Sequence, residues 1–211
     1  MCDPGPLNPD TQYFWQVTAT RLKDITPGPV WTFDTFCNIA ASDPPNCAID
    51  ARQPYAIDDS SVAQGWDSVA LTFQCATASA LPEDFAVSVE TGAPPTITNV
   101  VLSGNTATLQ LSRPIPPGQW TCITHLASGS QTCLAALPSD VNGDRTGAPA
   151  DVLAVIDSLN GVTPLPTYAT DVDRSGTSGP EDILRVIDLL NGAGQFTPWL
   201  DATIGVCPSS P

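Results

Sequence analysis

Residues Asp140–Gly161 read DVNGDRTGAPADVLAVIDSLNG, and Asp171–Gly192 read DVDRSGTSGPEDILRVIDLLNG. The two stretches are copies in register, 171 − 140 = 31 residues apart, and both end in V-I-D-x-L-N-G. Self-similarity at a fixed period marks one structural unit used twice. Each copy opens on Asp, sets Asn, Asp or Ser two and four residues later, and closes a twelve-residue span on Asp before an apolar run. Hard oxygen donors at the first, third, fifth, seventh and twelfth positions, the seventh through its backbone carbonyl, are what a calcium ion takes from such a loop. In the first copy these positions are Asp140, Asn142, Asp144, Thr146 and Asp151; in the second they are Asp171, Asp173, Ser175, Thr177 and Asp182. Three carboxylates per loop repel one another without a cation between them, so an empty loop is expected to lose order.

The residues after each loop predict a helix. Val152, Val155, Ile156 and Leu159, echoed by Ile183, Val186, Ile187 and Leu190, fall at helical spacing. Pro149 and Pro180 suit a first helical turn. The closing Asp151 and Asp182 meet the unpaired N–H groups and the positive end of the helix dipole. Both helices are expected to stop at Asn-Gly, Asn160-Gly161 and Asn191-Gly192. No helix is expected ahead of either loop, because neither LAALPS before Asp140 nor PLPTYAT before Asp171 will make one.

A duplicated loop that is followed, and not preceded, by a helix resembles a dockerin, the calcium-dependent unit by which secreted bacterial proteins plug into cohesin domains. The resemblance covers about Ser139 to Gly205, roughly a third of the chain. It implies a small α-helical calcium-binding module with two Ca2+ ions and a cohesin-like partner. The surface it implies for that partner comprises loop positions ten and eleven, Pro149-Ala150 and Pro180-Glu181, with the helix residues Ala154, Asp157 and Ser158 and their counterparts Arg185, Asp188 and Leu189. The internal pseudo-symmetry implies that either helix could face the partner. Two departures stand out. Dockerins usually carry Gly at the sixth loop position, which Gly176 obeys and Arg145 does not. A non-glycine residue at positive φ costs on the order of 1 kcal/mol, so the first loop is predicted to be the weaker site. An apolar residue usually stands at the eighth position, where the two loops pair; here Gly147 and Ser178 stand there.

At 211 residues the chain has room for one to three small domains. Its net charge is −15, with Asp+Glu 22 against Lys+Arg 7, and six of the Asp residues are loop ligands. That balance excludes nucleic acid and anionic membrane as partners. No stretch approaches a membrane span. Seven cysteines without a C-x-x-C pair, and a single His125, point away from zinc and toward disulfides. The pairs nearest in sequence are Cys37 with Cys47 and Cys122 with Cys133, though the connectivity stays open and the odd count leaves one thiol over. Calcium and disulfides together predict an extracellular or cell-surface protein. The opening MCDPGPLNPDTQ has neither a basic start nor an apolar core, so the export signal is expected upstream.

Between Cys47 and Leu137, alternating stretches at Val69–Phe73, Phe85–Val89, Ile97–Leu102, Thr106–Leu111 and Trp120–His125 predict an antiparallel immunoglobulin-like sandwich. Ahead of it, the L-x-P-x-T-x-Y-x-W-x-V run from Leu7 to Val17 resembles the last two strands of a fibronectin type III domain, tyrosine corner included. The expected organisation is therefore multi-domain: 1–36 as the end of a fibronectin-like domain continued upstream, 37–46 as a linker, 47–137 as an all-β immunoglobulin-like sandwich, 139–205 as a small α-helical dockerin module, and 206–211 as a tail.

Catalytic chemistry is not expected. Asp58-Asp59 and Glu83-Asp84 read as solvated loop acids, and His125 has no G-x-S-x-G partner. Trp66, Trp120 and Trp199 read as core or rim residues, with Trp199 folding back over the repeat. No catalytic residue is assigned. The favoured function is calcium-dependent docking by a secreted multi-domain protein. Two alternatives are the end of an extracellular polysaccharide-degrading or other hydrolase whose catalytic domain lies upstream, and a cell-surface structural protein rigidified by calcium.

Overall fold

The computed structural model describes residues 7–8, 11–21, 24–55, 64–76 and 80–208. Its first element pair is the expected hairpin, β1 (Thr11–Arg21) against β2 (Asp24–Thr35), a two-stranded sheet of its own. Alternating aromatic and β-branched residues make both strands, and Tyr13 stacks on Phe33 and Trp15 on Trp31 across them, with ring centroids 5.6 and 4.4 Å apart. Phe14, Trp15, Val17, Val30 and Trp31 are exposed.

The next strands form a sandwich of two four-stranded sheets. One has the order β3 (Ile39–Asp43), β5 (Ser68–Phe73), β8 (Thr106–Leu111), β7 (Ile97–Ser103). The other runs β4 (Ile49–Asp50), β10 (Gln131–Ala136), β9 (Gln119–His125), β6 (Phe85–Val89). Neighbours are antiparallel except β4 and β10, which run parallel. Alternation along β5 and β8 sends Val69, Leu71, Phe73, Ala107, Leu109 and Leu111 inward, against Phe85, Ile123 and Leu134 of the facing sheet. Each large side chain so buried contributes about 1.5–3 kcal/mol.

β5 to β9 fall where the alternation predicts them. Residues 37–46, expected as a linker, instead supply the edge strand β3, paired with β5 and tied by a Cys37–Cys75 disulfide. Cys122–Cys133 bridges β9 and β10 as expected, but Cys47 joins Cys207, 160 residues away, and not Cys37. Cys2, like Asp58 and Asp59, lies outside the described residues. Three disulfides fit an oxidising compartment.

The expected α-helical module after the sandwich is not found. The described residues are mostly β, and the repeat contributes three short helices: α1 (Ala150–Leu159), α2 (Thr167–Thr170) and α3 (Pro180–Asn191). Its core is not its own. Ala51, just past β4, is buried among Val141, Val155, Val172, Val186 and Leu189. Residues 50–53, at the end of β4 and just past it, lie between the chain entering the first loop and the chain entering the second. On one side Leu137 and Ser139 donate their N–H groups to the carbonyls of Asp50 and Ala51; on the other, Ala51 and Gln53 donate theirs to Tyr168 and Val172. The first loop thus leaves β10 with only Leu137, Pro138 and Ser139 between. Ahead of the second loop stands α2, a single turn after Pro166 that the sequence reading did not expect.

After α3 the chain turns back. Phe196 joins the repeat's core, and Trp199 packs between that core and the outer face of the β10 sheet. Asp201 and Gly147 bond to each other's strand, Asp201 N–H to the Gly147 carbonyl at 2.8 Å and Gly147 N–H to the Ala202 carbonyl at 2.9 Å; Ile204 N–H reaches the Arg145 carbonyl at 3.1 Å. The Trp120 indole N–H caps the Gly205 carbonyl at 2.9 Å. Burial along the helices follows the predicted stripe only in part: Val155 and Val186 are wholly buried, while Leu159 and Ile187 are each 39% exposed. Gly161 and Gly192, at φ 72° and 68°, end the helices as predicted.

Candidate metal centre

The second loop brings its three acids together. Asp171 and Asp182 are buried, Asp173 is half-buried, and one carboxylate oxygen from each lies within 4.8 Å of the others. The Ser175 hydroxyl donates to Asp171 Oδ1 at 3.3 Å and to the Thr177 carbonyl at 3.0 Å, so the first, fifth and seventh positions touch. Backbone amides hold the acids in place. Gly176 N–H bonds to Asp171, Ser175 N–H to Asp173, and Asp182 receives Asp173 N–H on Oδ1 and Gly179 N–H on Oδ2. The last of these closes the N-terminus of α3, as predicted for Asp182. Burial, with the neighbouring Asp173 and Asp171, pushes the Asp182 carboxyl above its usual range despite those amides. Every donor is oxygen, which suits a hard cation and not zinc or copper.

The first loop is built alike but gathered less tightly. Asp151 accepts Val141 and Asn142 N–H on Oδ1 and Ala148 N–H on Oδ2; Asp144 accepts Thr146 N–H; Asn142 bonds to Asp144 through both its amide atoms. Asp140 is 1% exposed, and only its Oδ2 has a partner, Arg145 N–H at 2.9 Å. Its Oδ1 is buried with no protein partner. A buried acceptor left so costs about 1–3 kcal/mol, and a cation in the loop would satisfy it. Burial, then Asp151, raises the Asp140 carboxyl to about 7. Burial raises Asp151 as well.

Two backbone features qualify the sequence reading. Arg145 does take the left-handed conformation, at φ 76°, but so does Arg174 at the fourth position of the other loop, at φ 63°. The glycines stand opposite, Gly143 at φ 74° and Gly176 at φ 92°. Each loop therefore carries one glycine and one strained arginine at its two left-handed positions, and strain of about 1 kcal/mol does not rank them. The loop-to-loop pairing at the eighth position is replaced. Gly147 pairs with the returning tail, where a Cβ would collide with the Trp199 carbonyl and approach Ser139 Oγ to 2.8 Å. Ser178 bonds instead to Thr170 Oγ1 at 2.6 Å.

Arg174 turns away from its own loop. Its Nε donates to the Gln53 carbonyl at 2.8 Å and its Nη2 to Asp50 Oδ2 at 3.1 Å. Asp50 is wholly buried and also accepts Arg52 through both oxygens, at 2.7 and 2.9 Å. Burial lowers the Arg174 guanidinium from its usual value, with Asp50 pulling it back.

Of the residues proposed for partner contact, Pro149, Ala150, Asp157, Pro180 and Glu181 are exposed, and Ala154, Ser158, Arg185 and Asp188 half-buried. Leu189 is not on the surface: it is wholly buried beside Val186, because the tail closes over that side of α3. Arg185 lies over the Phe196 ring at 5.1 Å. The helix faces also expose Leu153 (62%) and Leu184 (65%), equivalent residues of the two copies that the core stripe left unassigned. His125, expected to lack a nucleophile beside it, has Ser128 Oγ at 2.8 Å from Nδ1, but Ser128 also bonds to Ser130 in the β9–β10 turn, and the ring is packed by Phe73 and Phe85. That network ties a turn. Among the described residues no helix is long and apolar enough to cross a membrane. No known protein family matches the chain, and no curated protein matches it.

Proposed function

We propose that the two loops bind calcium and that the loaded repeat serves as a calcium-dependent docking element, of dockerin type, for a cohesin-like domain outside the cell. The observation that carries this reading is the convergence of Asp171, Asp173, Ser175, Thr177 and Asp182 in one loop. Five oxygen positions on a twelve-residue loop suit calcium better than magnesium, which demands a small octahedral site and keeps its waters. The same carboxylates that face the ion also fix the starts of α1 and α3, through Asp151 with Ala148 N–H and Asp182 with Gly179 N–H. Neutralising them sets both helices, whose outer faces offer Pro149, Ala150 and Leu153 on one and Pro180, Glu181 and Leu184 on the other.

Calorimetric titration of the full chain tests the first half: two calcium sites are expected, and Asp151→Ala with Asp182→Ala should remove both. Capture from an extracellular fraction tests the second half, with a bound protein expected in calcium and lost in EGTA. A structural reading, calcium for rigidity alone, is favoured by the bonds that fasten the second loop to the end of β4 and the first loop to the returning tail. Calcium binding with a capture set indifferent to EGTA would select it.

A further inference from the structure

We infer that Asp50, a sandwich residue, governs the second ion site by holding the loop's own cation, Arg174, out of it. The inference rests on the calcium binding proposed above. Arg174 stands between Asp171 and Asp173 on one side and Asp182 on the other, in a loop whose three carboxylates converge. A guanidinium is a fork of donors shaped for carboxylates, and one tethered within the loop is present at high effective concentration. Turned inward, it would occupy the oxygens that a cation needs.

Asp50 does not need Arg174 for its own pairing. Arg52 engages both Asp50 oxygens, Nε on Oδ1 at 2.7 Å and Nη2 on Oδ2 at 2.9 Å, and its backbone N–H adds a third bond at 3.1 Å. The dependence runs the other way. Arg174 keeps a left-handed backbone where the other copy has Gly143, and that geometry sends its side chain to Asp50 and the Gln53 carbonyl. Both acceptors lie at the end of β4 or just past it, so the sandwich side supplies what the repeat lacks. Asp50 is a positioning residue here and touches no ion.

Calcium titration of the full chain, with the second site identified as the one lost in Asp182→Ala, reads the effect. Asp50→Asn should weaken that site at least tenfold and leave the first within about threefold. Adding Arg174→Gly to Asp50→Asn should restore the second site to within about threefold of wild type, which a merely structural role for Asp50 would not do. Equal affinities in wild type and Asp50→Asn, or no rescue by the second change, overturn the inference while leaving calcium binding intact. A wild-type chain that takes up no calcium overturns both. Should Asp50→Asn fail to fold, Arg174→Gly alone decides: affinity at the second site held or raised supports sequestration, and a tenfold loss refutes it.

Discussion

Asp140 is the residue most out of balance, a buried acid whose Oδ1 has no protein partner and whose carboxyl is raised from 3.8 to about 7. A raised carboxyl binds its proton more tightly when folded than when unfolded. Its contribution to stability is therefore present below the ordinary aspartate range and lost as pH climbs to about 7. Integrated over that window the loss is on the order of 4 kcal/mol in calcium-free protein. Melting temperatures across pH 4 to 8, roughly that window, should fall with pH without calcium, and Asp140→Asn should make the fall shallower, leaving the part due to Asp151 and Asp182. Calcium binds the ionised form, so affinity at the first loop should rise with pH and level off above about 7. A second residue-scale expectation concerns Gly147. Gly147→Val would drive a side chain into the Trp199 carbonyl, and a loss of about 2 kcal/mol or more is expected in chemical denaturation. The convergence of Asp171, Asp173 and Asp182 was legible in the sequence, because their spacing within one loop is local. It was not legible for Arg174, whose partner Asp50 lies 124 residues away and whose strain shows only as a backbone angle.

At the scale of elements, α1, α3 and the sandwich strands β5 to β9 could be read because their periods, 3.6 and 2, are local. β3, β4, β10 and the single turn of α2 could not. Ile39–Asp43 is IAASD, small and without alternation, and Ile49–Asp50 is two residues long; only their neighbours make them strands. The helix stripe misled for a related reason. Phe196 and Trp199 from the tail and Ala51 from the sandwich cover one side of the helix pair, which brings Leu189 into the core and leaves Ile187 outside. α3 depends on one acid for its start. Asp182→Ala strips partners from the N–H groups of Gly179 and Asp173, and a cost of about 1–2 kcal/mol is expected even without calcium, seen as lower stability and reduced helical circular dichroism.

As a whole molecule, the chain does not divide where its sequence changes character. Periodicity says which elements form and is silent on whether they share a core. Here residues 50–53 lie between the chain segments entering the two loops, and the tail binds the first loop on one side and Trp120 on the other. The sandwich and the repeat should accordingly unfold in one calorimetric transition, shifted upward by calcium as a unit. Two separated transitions, only one of them calcium-sensitive, would contradict the shared core. The Cys47–Cys207 bond encloses nearly all of this assembly in a covalent ring. A protease that cuts the backbone once inside that ring releases nothing: the nicked protein should run as one species on a non-reducing gel and as two fragments after reduction. In an oxidising compartment, the loops would stay attached to the sandwich through such damage until a reductant reached the bond.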